Sequence, residues 1–131
     1  MIGLDTNFLV RLFARDDARQ FAAAARLVDE APRRSLTVGL IVIVELVWTL
    51  QRAYSFDKMQ IEIALQRLTE HPNLLLPHLD FVREAVHRSR EAGADIADCL
   101  IGLVNRQAAC STTMTFDVRA AKSDLFTLLP S

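Results

Sequence analysis

Short apolar runs alternate along this chain with longer amphipathic segments, and the alternation predicts most of its elements. Met1–Leu4 reads as a short buried strand that runs straight into Asp5-Thr6-Asn7, where Thr6 is expected to cap a following helix. Asp16 or Asp17 starts a second helix with Phe21, Ala24, Ala25 and Val28 on one face, and Pro32 stops it. Leu36–Val38 reads as a second strand, Gly39 breaks it, and an apolar helix is expected over Ile41–Ala53. The next helix has the clearest start signal. Asp57 and Gln60 stand at capping-box spacing, Phe56 and Ile61 occupy the staple positions, and Ile61, Leu65 and Leu68 form the inner face. Asn73–Leu76 is a third strand between two prolines. Asp80 is expected to cap a helix over Phe81–Glu91 that Gly93 ends, and Asp95 another that runs to Arg106. Ser111–Thr115 and Leu125–Leu128 read as the fourth and fifth strands.

Strands separated by helices imply parallel β-α units, hence an α/β fold whose sheet carries helices on both faces. Right-handed crossovers restrict the topology. Ligands in such sheets sit beyond the carboxyl ends of the strands, where strand order reverses. Asp5 follows the first strand and Asp117 the fourth, so the two acids meet if those strands are neighbours. The chain has 131 residues, which fits a single domain spanning residues 1–131, and no linker, repeat or low-complexity tract interrupts it.

Composition narrows the classes. Half the residues are hydrophobic and 24% are charged, which excludes a disordered chain. Net charge is −1, so bulk charge does not point to a nucleic-acid partner. The basic residues are 13 Arg and 2 Lys, and arginine is the better planar donor to phosphate. Cys99 and Cys110 form no CxxC pattern and read as small packing residues in a reducing compartment. His71, His78 and His87 are not at ligand spacing and read as surface residues. No signal peptide is expected at the start, and the apolar run Leu36–Val44 is too short to span a membrane, so the chain reads as soluble and cytoplasmic.

The candidate chemistry is acidic. Asp5 ends a strand, either as a metal ligand or as an acid capping the next helix, and Glu45 stands among Ile41, Val42, Ile43, Val44, Leu46, Val47 and Trp48, where a charge is costly unless it is paired, bound to a metal or simply turned to solvent on one helix face. Asp95 and Asp98 fall in the first turn of one helix. Asp95 is the natural cap and Asp98 the stronger ligand, although Asp98 also complements the helix dipole. Asp117 follows the fourth strand and is placed to cap a short helix through Val118–Lys122. Carboxylates packed together repel one another unless a cation joins them. Mg²⁺ and Mn²⁺ accept such hard oxygen donors. Two such ions roughly 3.5–4 Å apart activate a water and stabilise the leaving oxygen of a phosphodiester. No GxxxxGK[ST], GxGxxG or GxSxG motif competes with that reading. A nucleophilic phosphatase signature is absent as well, since Thr6-Asn7-Phe8 follows Asp5.

The ordered segments Leu4-Asp5-Thr6-Asn7, Val44-Glu45-Leu46-Val47-Trp48-Thr49-Leu50, Gly93-Ala94-Asp95-Ile96-Ala97-Asp98-Cys99-Leu100-Ile101 and Thr115-Phe116-Asp117 resemble a PIN domain, more narrowly the VapC-type toxins of toxin–antitoxin pairs. The resemblance covers essentially the whole chain. It implies a three-layer α/β/α fold with a central, mostly parallel sheet of about five strands, and a Mg²⁺- or Mn²⁺-dependent endoribonuclease acting on structured RNA, often transfer or ribosomal RNA. It carries the acidic ligands to Asp5, Glu45, Asp98 and Asp117, the small polar residue to Thr6, and an extra acid to Asp95. It also implies a homodimer and a small VapB-like antitoxin that binds in a heteromeric complex. Cys99 stands where alanine is common, and the segment after Asp117 is a loose match. Asn7, Arg11, Arg15 and Arg119 lie near motif ends and are expected to contact phosphate. The helix at Ile41–Ala53 carries Val44, Val47, Trp48 and Leu50, which fits either a dimer face or a buried central helix. The competing functional reading is a PIN-like binding module with an idle site, acting with its antitoxin on operator DNA.

Overall fold

A computed structural model describes all residues, Met1–Ser131, and the chain divides into two compact units, Met1–Leu79 and Asp80–Ser131. The first unit holds β1 (Ile2–Gly3), α1 (Thr6–Ala14), α2 (Ala18–Glu30), β2 (Leu36–Thr37), α3 (Leu40–Tyr54), α4 (Lys58–Glu70) and β3 (Leu74–Leu75). Its three strands form a parallel ladder in the order β1-β2-β3, with Ile2 opposite Leu36 and Leu36 opposite Leu74. Parallel pairing follows from the helical crossovers between successive strands. α1 packs against α2 and α3, and α4 against β3.

Local chemistry sets the helix starts. Asp17 caps α2 by accepting a hydrogen bond from the Gln20 N–H at 3.0 Å, and the helix closes before Pro32. The capping box at Asp57 and Gln60 is complete, with both hydrogen bonds at 2.8 Å. The inner face expected for α4 is buried at Ile61, Leu65 and Leu68. The first helix corrects one expectation: Asp5, not Thr6, is its cap, since Asp5 Oδ1 accepts from the Phe8 N–H at 2.8 Å. The turn out of β1 leaves Asp5 in extended geometry, which is the cap conformation, while Thr6 is already helical.

The second unit holds most of α5 (Leu79–Ala92), then α6 (Ile96–Gln107), β4 (Thr113–Thr115), a 3₁₀ turn at Ala120–Lys122 and β5 (Phe126–Leu128). β4 and β5 pair in parallel, Thr113 opposite Phe126. α5 begins one residue before Asp80, so Asp80 lies in its first turn rather than at its cap. Gly93 ends it with φ of 77°, a conformation that glycine adopts without strain. Gly102 serves close packing instead. A Cβ there would stand 2.8 Å from Leu125 Cβ, so α6 meets the β5 segment through a bare backbone.

The fold is α/β with every strand pair parallel, as the sequence predicts. The expected single sheet of about five strands is instead a ladder of three and a pair. Each strand is two or three residues long, which limits how far a hydrogen-bonded ladder extends. No helix is long and apolar enough to cross a membrane.

Candidate metal centre

The first unit presents an acidic corner where β1 meets α1 and α3. Leu4 is buried and anchors the strand end, so Asp5 emerges exposed at its carboxyl side. One oxygen of Asp5 is spent on the helix cap. Thr6, the next residue, donates from Oγ1 to Glu45 Oε1 at 3.2 Å, a contact that spans 39 positions and ties α1 to α3. Neither Asp5 nor Glu45 forms an ion pair, and each keeps an oxygen outside these hydrogen bonds.

Glu45 corrects the argument that first singled it out. It is exposed, because Ile43, Leu46, Val47 and Leu50 turn inward and leave it on the outer face. Its charge therefore carries no large desolvation cost. The same geometry narrows the dimer expectation for α3: Val47 and Leu50 pack into their own unit, and only Ile41 and Trp48 stay largely open.

The second unit carries the other acids. Asp98 is the third residue of α6 and half-buried in its first turn. Asp95 occupies the cap position, yet its side chain makes no capping hydrogen bond. It turns instead to Arg119 Nη2, 3.4 Å away, on a segment that sequence separation hides. Asp117 follows β4 and is fixed in a tight turn: its N–H donates to Thr115 Oγ1 at 2.9 Å, and its Oδ1 accepts from the Arg119 N–H at 2.8 Å. The helix expected over Val118–Lys122 shortens to the 3₁₀ turn. Asp5 and Asp117 thus both stand at carboxyl ends of strands, where α/β folds hold their ligands.

In neither unit do three His, Cys, Asp or Glu side chains gather closely enough to enclose a metal ion. The donor set still fits a hard cation. It is all oxygen, and Mg²⁺ commonly takes one or two protein carboxylates and keeps several waters.

The expected phosphate contacts divide. Asn7 is exposed in the first turn of α1. Arg15 is exposed, with its guanidinium 4.5 Å from the centre of the Phe21 ring. Arg119 is exposed but shares its charge with Asp95. Arg11 is a correction, because its side chain is only 19% exposed and is taken up by Asp16 and by the Tyr54 hydroxyl. Its Nε is buried with no partner. Tyr54 completes the triangle by donating to Asp16 Oδ2 at 2.9 Å, and it arrives from 43 residues beyond Arg11.

That triangle has a pH signature. The Tyr54 hydroxyl, and then Arg11, hold the Asp16 carboxyl below its ordinary range. A carboxyl depressed on folding stabilises the native state above its unfolded value, and the contribution is lost as pH falls through the folded one. Tyr54→Phe removes the largest cause. The variant is expected to unfold at lower urea than the parent at pH 7, and the gap is expected to narrow at pH 3. A gap of equal size at both pH values would contradict this linkage.

The family description that matches is PIN domain, over residues 2–124. The chain belongs to the PIN domain family. PIN domains are generally metal-dependent nucleases, and this fold is of the nuclease type. No curated protein matches the chain. All four acids, Asp5, Glu45, Asp98 and Asp117, lie inside the matched range.

Proposed function

We propose that this PIN domain is a Mg²⁺- or Mn²⁺-dependent endoribonuclease, the cytoplasmic VapC-type toxin of a toxin–antitoxin pair, cleaving structured RNA such as transfer or ribosomal RNA. The observation that carries the reading is the corner at Asp5, Thr6 and Glu45: two exposed carboxylates with no cationic partner, Asp5 at the start of α1 and Glu45 tied to the next residue of that helix by the Thr6 hydroxyl. In this reading the residues that would hold Mg²⁺ or Mn²⁺ through carboxylate oxygens are Asp5 and Glu45 of the first unit and Asp98 and Asp117 of the second, with Asp95 as an extra acid beside Asp98. Bound Mg²⁺ or Mn²⁺ supplies Lewis-acid stabilisation of the phosphodiester and activation of the attacking water.

The chain's own groups do the rest. Thr6 fixes the direction of Glu45 by donating to it, so one Glu45 oxygen stays presented. Asp95 holds the Arg119 guanidinium, which then faces phosphate as a planar donor. Asn7 hydrogen-bonds the backbone near the scissile bond, and Arg15 adds charge. A small VapB-like antitoxin is the natural inhibitor of such a site, since a basic side chain neutralises the same carboxylates.

Calorimetric titration with Mn²⁺ tests the metal half of the proposal without RNA. The parent protein is expected to bind Mn²⁺, and Glu45→Gln to bind it at least about tenfold more weakly, as loss of a ligand or its support does. Identical isotherms would remove Glu45 from the site. No binding by the folded parent would favour an idle, partner-recruiting module.

A further inference from the structure

The outer face of α3 carries more than Glu45. Ile41, Glu45, Trp48 and Arg52 recur at intervals of four, three and four residues, which aligns them along one side of the helix over about 16 Å. Trp48 is 52% exposed on a helix whose inner face is packed to completion. The Arg52 guanidinium lies over its indole, 4.4 Å from the ring centre, and still leaves half the residue open to solvent. One turn away, Glu45 is held by Thr6.

We propose that Trp48 is a stacking platform for an unpaired nucleobase of the RNA, next to the phosphate cleaved, and that Arg52 receives the adjoining backbone phosphate. The inference rests on the endoribonuclease reading and adds to it a preference for a single-stranded segment at the cut. The chemistry of the face selects this occupant. A protein helix would meet a carboxylate and a guanidinium interrupting the apolar stripe. A nucleotide offers a flat π surface to the indole and a negative charge to the arginine. Aromatic side chains bind splayed-out RNA bases in this way, and arginine adds cation–π attraction. Glu45 and Trp48 are neighbours on the helix surface, with Cβ atoms about 5–6 Å apart, close enough for one nucleotide to reach both.

Trp48 is the only tryptophan of the chain, so its fluorescence reports this position alone. The parent protein in EDTA is titrated with a single-stranded oligoadenylate and, separately, with inorganic polyphosphate. Saturable quenching by the oligoadenylate and little by polyphosphate is expected. In the cleavage assay, Trp48→Ala is expected to lose roughly 5- to 150-fold in kcat/KM, mainly through KM, while Trp48→Phe keeps most of it. Absence of quenching, equal quenching by polyphosphate, or unchanged kcat/KM in folded Trp48→Ala would overturn the proposal. So would a blue shift of the emission with rising protein concentration and no RNA, which would mean that a second copy covers the face. The fluorescence arm decides the matter even if Trp48→Ala does not fold. If oligoadenylate quenches but no RNA is cleaved in any metal, the stacking site stands and the nuclease reading fails. Cleavage without quenching gives the reverse.

Discussion

Asp5→Asn is expected to abolish RNA cleavage while leaving the fold in place. The substitution separates the cap that Asp5 makes from the metal ligand that we propose it to be. Asparagine caps a helix about as well as aspartate, and its side-chain oxygen can still accept from the Phe8 N–H. The negative charge and the anionic metal ligand are gone. The loss is expected to exceed the roughly 10–100-fold that removing a mere supporting partner costs. Thermal unfolding by circular dichroism within a few degrees of the parent would show that the cap is kept. Asp98→Asn is expected to give the same loss from the first turn of α6. Full activity in either folded variant would remove that acid from the mechanism.

Leu46→Ala is expected to cost about 2–5 kcal/mol, the range for truncating a buried leucine. Leu46 is fully buried, beside Ile43, Val47 and Leu50 on the inner face of α3. Those four residues set the rotation of the helix and thereby put Glu45 and Trp48 on its outer side. Proteins of this size are commonly stable by only about 5–15 kcal/mol, so the variant approaches the limit of folding. Urea unfolding of parent and variant measures the difference directly. A cost under about 1 kcal/mol would mean that Leu46 does not anchor α3. Partial loss of cleavage at temperatures where the variant remains folded is also expected, because a loosened α3 no longer fixes Glu45 against Thr6.

What the sequence disclosed was mostly local. Asp17 and Asp57 cap their helices because the cap, the N–H it satisfies and the first turn lie within three residues. The inner face of α4 follows from periodicity alone. Expectations failed where a residue's fate depends on something distant or on backbone geometry. The cap falls to Asp5 rather than Thr6 because the conformation leaving β1, which composition does not encode, decides which residue is extended. Arg11 was lost to Tyr54, 43 residues away, and the Asp95 side chain was drawn from its cap by Arg119. The apolar setting of Glu45 in sequence leaves open a buried charge or a helix residue turned to solvent, and because a helix sends neighbours in different directions Glu45 takes the second. The Trp48–Arg52 stack was legible in principle, since the two stand at i and i+4.

The measurement that bears most directly on the central claim is incubation of the purified protein with total RNA in Mg²⁺, in Mn²⁺ and in EDTA. The account predicts discrete fragments in either metal, none in EDTA, and recovery of cleavage when the metal is restored. Fragments that persist in EDTA, or a folded protein that leaves the RNA intact in both metals, would contradict it.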